Sequence, residues 1–325
     1  MPGVDFEALV ERHRREIQVH CYRMLGSFAD AEDHAQETFL RAWKGRAGFE
    51  GRSSLRTWLY RIATNVCLDA LARHPRRVLP DQLGPPGDPA GASAPVDLPW
   101  LEPYPDVLLD AAAPDDTGAA VVERETIELA FLAAIQYLPP RQRAALILRD
   151  VLGWSARETA ELLETSVPSA NSAVQRARTT LRERMPPRRA EWAPSGSPEE
   201  LGLLRRFIEA YEAADPQAVA ELLRADARAV MPPLPLWFAS REAIVGALTV
   251  SIVPGSEYFR GRIRMLPIRA NRQPAVAGYL QTPGSSEYRW FGVTLLVLED
   301  GLVASMAAFE TASCAAFGLP SVLDG

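Results

Sequence analysis

Trp58, Arg61 and Asn65 stand at i, i+3 and i+7 of one amphipathic stretch, so a helix would project them side by side. An indole can stack on a base, a guanidinium can meet phosphate, and a carboxamide can read a base edge. That trio suits an unpaired nucleic-acid base, although the same residues also suit the surface of an ordinary core helix. A second set lies at Asn171, Ser172, Gln175, Arg176 and Thr179, which share the outward face of a later amphipathic stretch. Asn and Gln can pair adenine edges and Arg can pair guanine, which is major-groove chemistry. Other chemistry is scarce. There is no Gly-rich phosphate loop, no GxSxG and no histidine beyond His74. Asp215, Asp226, Glu257, Tyr258, Tyr279 and Tyr288 could supply a general base only if a cavity gathered them. Cys21, Cys67 and Cys314 lack CxxC spacing and do not cluster with the four histidines, so neither a metal site nor a cofactor is expected.

The elements that must carry these residues read as follows. Residues 5–26 form a helix stopped at Gly26, and Asp30 caps a second helix. The second helix has a polar face of Glu32, Asp33, Gln36, Glu37 and Arg41, and an apolar face of Ala35, Phe39, Leu40 and Trp43. A Gly-rich loop, GRAGFEGR, leads into the stretch Ser53–Arg77. There Leu55, Trp58, Leu59, Ile62, Val66 and Ala70 make the buried stripe, Ser53 or Ser54 caps the start, and Pro75 marks the end. Residues 126–185 form a helical block ending in a helix-turn-helix. Its signals are Pro139-Pro140, Gly153, a capping box at Ser155 and Glu158, and Pro168 in the first turn of the last helix. In that last helix Ala170, Ala173, Val174, Ala177 and Leu181 face inward. A helical hairpin in a bundle would share this pattern. From Glu199 helices give way to strands over 257–270, 274–281, 288–299 and 302–310, with a hairpin turn at Asp300-Gly301. This is an α+β order that would curl around an apolar cavity.

The 325 residues carry a net charge of −6, and that average conceals blocks. Segments 1–80 and 126–190 carry +3 and +4, while 81–125 and 191–325 carry −9 and −4. Residues 41–77 alone reach +7, the footprint of a surface that meets phosphate. Residues 79–125 are rich in Pro, Gly, Ala and Asp, a linker composition. Within them WLEPYPD (100–106) reads either as a docked extended segment or as a linker with chance aromatics. No apolar run is long enough to span a membrane, and the charged N-terminus has no signal core, so a cytoplasmic location is expected.

DAEDHAQETFLRAWKG followed by FEGRSSLRTWLYRIATNVCLDALAR resembles region 2 of bacterial RNA polymerase sigma factors of the extracytoplasmic-function group. LPPRQRAALILRDVLGWSARETAELLETSVPSANSAVQRARTTLRER resembles region 4 of the same group. The tail looks like a SnoaL-like (NTF2-like) cone, as some actinobacterial members carry. The resemblance implies a multidomain fold: an all-α region 2 (1–78), a linker (79–125), an all-α region 4 helix-turn-helix (126–190) and an α+β SnoaL-like domain (198–325).

It also implies roles. Asp33, Gln36, Glu37, Phe39 and Arg41 would bind core polymerase at the β′ clamp helices, and region 4 would meet the β flap. Phe49, Ser53, Ser54 and Asn65 would pocket a flipped base of the −10 element, with Arg56, Trp58 and Arg61 supporting the separated strand. Asn171, Ser172, Gln175, Arg176 and Arg178 would read the −35 element. Promoter DNA is the expected partner, the tail would contact the sigma domains and tune their activity, and no bond chemistry is expected. His34 and Ala35 replace the family's usual apolar pair, a departure that either loosens the packing of that helix or is simply tolerated. Two alternatives remain at this point: a stand-alone helix-turn-helix regulator with a ligand-sensing tail, and a SnoaL-like isomerase or cyclase fused to a DNA-binding part.

Overall fold

The computed structural model describes residues 6–49, 51, 53–73, 76–91, 93–110, 127–185, 196–310 and 313–325. The expected helix stop at Pro75 and the linker over 111–125 lie outside the described residues. The chain divides into two compact units. One combines Met1–Arg77 with Leu108–Pro186, and the other combines Val78–Val107 with Pro187–Gly325.

The first unit begins with three helices, α1 (Phe6–Leu25), α2 (Phe28–Gly45) and α3 (Leu55–Leu71). Gly26 takes φ 72°, a left-handed conformation that ends α1. Ser27, not Asp30, caps α2, and its side chain accepts from the Asp30 amide at 3.0 Å. Ser54 caps α3 in the same way through the Thr57 amide. Ile17, Tyr22, Met24, Ala31, Ala35, Phe39, Leu59, Ala63 and Val66 are buried in this part. Two expected core positions are corrected here. Leu40 and Trp43 are 54% and 45% exposed. The stripe that α2 buries is Ala31, Ala35, Thr38, Phe39 and Ala42, which already fills a helical face. On α3 the buried stripe is likewise rotated, running through Leu59, Tyr60, Ala63, Thr64, Val66 and Cys67, with Trp58 half-buried at its margin.

Four further helices follow in the unit: α4 (Leu129–Ile135), α5 (Pro140–Leu146), α6 (Ala156–Leu162) and the longer α7 (Val167–Arg184). A wider helical turn, Ile147–Val151, continues α5. The capping box of α6 forms as its sequence requires: the Glu158 amide donates to Ser155 Oγ at 3.2 Å and the Ser155 amide to Glu158 Oε2 at 2.8 Å. Arg143 on α5 is 2% exposed, and its guanidinium donates to the carbonyls of Ile135 (3.0 Å), Gln136 (3.1 Å) and Leu138 (3.4 Å). It also donates to Met24 at the end of α1, so a cation meets the negative end of that helix.

The second unit is α+β. It contains α8 (Pro198–Glu212), α9 (Pro216–Leu222), β1 (Leu223–Val230), β2 (Trp237–Phe238), α10 (Arg241–Ser251), β3 (Arg262–Ala270), β4 (Gln273–Gln281), β5 (Tyr288–Glu299), β6 (Leu302–Phe309) and β7 (Val322–Leu323). The sheet order is β2-β1-β6-β5-β4-β3, with β7 on β5. Asp300 and Gly301 take φ 53° and 71°, the two left-handed residues of a hairpin turn between β5 and β6. Residues 223–230 form β1, which lies parallel to β6. Phe207, Val219, Leu222, Phe238, Ile244, Val276, Leu296 and Val303 belong to one apolar core that joins helices to sheet.

Residues 78–106 belong to this unit as a strap. Val78 forms a parallel bridge with Trp100, and Pro105 forms an antiparallel one with Ala270. Leu101 and Tyr104 are fully buried. The Tyr104 amide donates to Asn271 Oδ1 (2.8 Å), the Asn271 amide returns a bond to the Tyr104 carbonyl (2.9 Å), and the Arg272 amide donates to Asp106 Oδ1 (2.8 Å). Of the two sequence readings of WLEPYPD, the docked one holds.

Candidate nucleic-acid interface

The edge of α3 is built around Trp58. Its ring meets Phe49 at a centroid distance of 5.0 Å, and a Cβ added at Gly45 would lie 3.6 Å from it. Gly45 and Phe49, which flank the turn Arg46–Gly48, therefore both lie close to the Trp58 ring. Arg61 and Asn65 follow along the same edge, both exposed, and Ser53 and Ser54 are exposed at its start. Arg56 is different. Its Nε donates to Glu16 Oε2 at 2.7 Å, and Tyr60 Oη donates to the same oxygen at 3.2 Å. Arg41 is likewise tied, to Glu37 (2.7 Å) and Asp69 (3.1 Å), and these bonds raise its pKa. Among the described residues Arg61 has no ion pair, so its charge is available to a ligand.

On α2, Asp33 and Gln36 are exposed while Phe39 is 7% exposed and packs inward. The apolar surface beside them comes from Leu40 and Trp43, which sequence reasoning assigned to the core. Trp43 meets Phe6 edge-on at 4.9 Å and carries the Arg46 guanidinium 3.5 Å above its ring. The signal that could have found them was the completeness of the Ala31–Ala35–Phe39–Ala42 stripe without them. The His34-Ala35 departure is absorbed: Ala35 is 4% exposed in the core, and His34 Nδ1 donates to the Asp30 carbonyl at 2.7 Å.

On α7, Asn171, Ser172, Gln175, Arg176 and Thr179 are exposed, while Ala170, Val174 and Ala177 are buried and Ala173 and Leu181 half-buried. The α6–α7 turn, Leu163–Ser166, holds Glu164 at φ 48°, and Arg141 donates to the Leu163 carbonyl. Arg178 makes a two-toothed pair with Asp150 at 2.7 and 2.9 Å, which raises its pKa and commits the guanidinium within the fold. Arg184 and Arg76 each lie 4.2 Å from the Tyr137 ring.

Beneath these faces His20 is fully buried and pushed down to about 3 by burial and by nearby Arg23. Thr64 Oγ1 donates to the Tyr60 carbonyl (2.8 Å), so it accepts from His20 Nε2 (2.9 Å), which fixes the neutral Nε2–H tautomer. In the second unit Tyr211 is raised by burial, and its hydroxyl lies 3.8 Å from Met306 Sδ. Among the described residues no group of His, Cys, Asp and Glu could hold a metal ion, and no helix is long and apolar enough to cross a membrane.

Comparison with known proteins matches residues 9–77 to the Sigma-70 region 2 family and residues 128–181 to the Sigma-70, region 4 family. The chain is 44% identical over 322 residues to the ECF RNA polymerase sigma factor SigG of Mycobacterium tuberculosis, covering 98% of this chain and 85% of that protein. It is 31% identical to SigW of Bacillus subtilis over 180 residues, covering 55% of this chain and 88% of the relative. The crystal structure of the extracytoplasmic function sigma factor SigJ of Mycobacterium tuberculosis shares the fold, with a TM-score of 0.58, 22% identity, and coverage of 97% of this chain and 98% of that one. Region 2 and region 4, followed by an α+β tail, together with 44% identity to SigG over nearly the whole chain, place this chain in the family of ECF RNA polymerase sigma factors.

Proposed function

We propose that this sigma factor docks on the β′ clamp helices through α2, reads the −35 element as duplex through α7, and captures an unpaired −10 base at the α3 edge. The supporting observation is a division of labour among the basic side chains. Arg41, Arg56 and Arg178 are tied to carboxylates, whereas Arg61 and Arg176 stand exposed beside Asn65 and Gln175. The tied arginines position the helices, and the unpaired ones meet DNA. On α2 the contact residues are Asp33, Gln36, Glu37 and Arg41, with exposed Leu40 and Trp43 as the apolar anchors that Phe39, being buried, does not provide. Region 4 meets the β flap, and the fused tail tunes promoter output in the cytoplasm without bond chemistry of its own.

The test separates melting from binding. Arg61→Ala and Asn65→Ala are expected to lower open-complex formation on duplex promoters about tenfold, the loss of one stacked or paired base contact. Binding to core polymerase should be unchanged, and activity should return on templates already unpaired over the −10 element. Normal opening of duplex promoters by both variants would remove the α3 edge from the assignment.

A further inference from the structure

Resting on the reading of α7 given above, we propose that Asp150 is a specificity-determining residue of region 4. By holding Arg178 it keeps a guanidinium off the DNA phosphates and pins the pitch of the reading helix. Residues 171, 175 and 178 stand at i, i+4 and i+7, so Arg178 shares the edge of α7 that carries Asn171 and Gln175. Its place is that of a DNA contact. Its chemistry is too, since a free guanidinium takes phosphate or guanine with two parallel hydrogen bonds. The fold gives that fork to a carboxylate instead. Arg178 Nη2 donates to Asp150 Oδ1 at 2.7 Å, and Nε donates to Oδ2 at 2.9 Å.

Asp150 is presented from a well-bonded place. It lies in the wide turn Ile147–Val151, where the Leu152 amide donates to the Ile147 carbonyl at 3.0 Å. The Trp154 amide donates to the Leu148 carbonyl (2.9 Å), and Arg149 Nη1 donates to the Trp154 carbonyl (2.5 Å). A wide turn adds one residue to the helical count, changes the phase of the side chains it carries, and is found most often at functional positions. With 30% and 46% of their side chains exposed, Asp150 and Arg178 pair at the surface, where a phosphate could compete for the guanidinium.

The rest of α7 shows what this pair changes. The helix carries Arg176, Arg178, Arg182 and Arg184 against one acid, Glu183. Among the described residues, Asp150 is the carboxylate that pairs with an α7 arginine. Arg182 reaches only the Arg178 carbonyl and the Thr179 hydroxyl, both at 3.4 Å, and Arg184 lies over the Tyr137 ring. Without Asp150, a further unpaired guanidinium would stand on the edge of Asn171 and Gln175. Phosphate contacts add affinity for every sequence alike, whereas base edges are read only by a helix held in register. Loss of Asp150 therefore acts twice against discrimination: scrambled DNA gains a contact, and the −35 element loses a fixed reader.

The experiment titrates the full-length chain, bound to core polymerase, on two promoter duplexes that differ only in a scrambled −35 element, over a series of salt concentrations. Asp150→Ala should bind the scrambled duplex about fivefold tighter near about 0.1 M salt, with a log–log salt slope more negative by about 0.9, the mark of one added phosphate contact. Its preference for the intact −35 element should fall about tenfold, as for one mismatched base pair. Asp150→Ala/Arg178→Ala should return the slope to the wild-type value while the preference stays low. The exchanged pair, Asp150→Arg/Arg178→Asp, should recover most of the preference, because it rebuilds the pin with the charges reversed. Three results would each overturn the role of Asp150: wild-type slope and preference in Asp150→Ala, a steep slope that survives removal of Arg178, or an exchanged pair no better than Asp150→Ala. A wild type indifferent to scrambling of the −35 element would instead refute the assignment of α7 as its reader.

Discussion

At the scale of single residues, burial decides what a polar side chain can do. His20 sits neutral in the region 2 core, pushed down to about 3, with Thr64 accepting from its Nε2–H. Its unfolded value is near 6.5, so below that pH the unfolded chain takes up a proton that the folded chain refuses. The stability tied to this histidine is therefore complete above pH 6.5 and declines as pH falls toward 3. From about pH 6.5 to about pH 5 the loss should be about 2 kcal/mol. Urea unfolding of the wild type and of His20→Gln at the two pH values checks this: the variant should lose distinctly less, and parallel losses would point to other groups. The outward polar residues of α7 show the complementary rule. Asn171, Gln175 and Arg176 were legible from sequence because helical period alone sends them outward. The fate of Arg178 was not, because Asp150, its partner, lies 28 residues away.

At the scale of elements, local signals and distant partners contribute separately. The α6 capping box is fully encoded by Ser155 and Glu158, whose carboxyl is held low by the Ser155 hydroxyl and amide. The docking of the strap is not, since Asn271 reaches across 167 positions to the Tyr104 amide. Both Asn271 and Tyr104 are fully buried. Asn271→Ala would strip the acceptor from a buried amide, and a loss of about 1–3 kcal/mol is expected in unfolding of the tail unit. Denaturant unfolding followed by tail tryptophan fluorescence measures it, and a wild-type midpoint would mean that the strap is held elsewhere.

At the scale of the whole molecule, the tail is a discontinuous unit that takes residues 78–107 from the middle of the chain. The amides of Gly87, Val96 and Asp106 donate to the carbonyls of Trp237, Pro233 and Arg269. In the intact chain these amides should exchange slowly with deuterium, and in a chain ending at residue 190 they should exchange at near-unfolded rates. Protection that survives the truncation would show that the strap keeps its structure without the tail. The expected linker therefore has two natures. Its composition was read correctly as turn-forming and acidic, but Pro and Gly mark where a chain turns, not what it turns against.

The sequence by itself determined the two sigma regions, the stop at Gly26, the serine cap of α3, the capping box of α6, the outward face of α7 and the α+β order of the tail. Period, capping chemistry and hairpin turns act over a few residues, so they are legible along the chain. Only the tertiary structure decided which face of α2 is the core, exposing Leu40 and Trp43. It alone joined Arg143 to Met24, committed Arg178 to Asp150, set β1 parallel to β6 and closed Val78 on Trp100. Each of these pairs residues far apart in sequence, where the energy of contact depends on burial and geometry that no local pattern records.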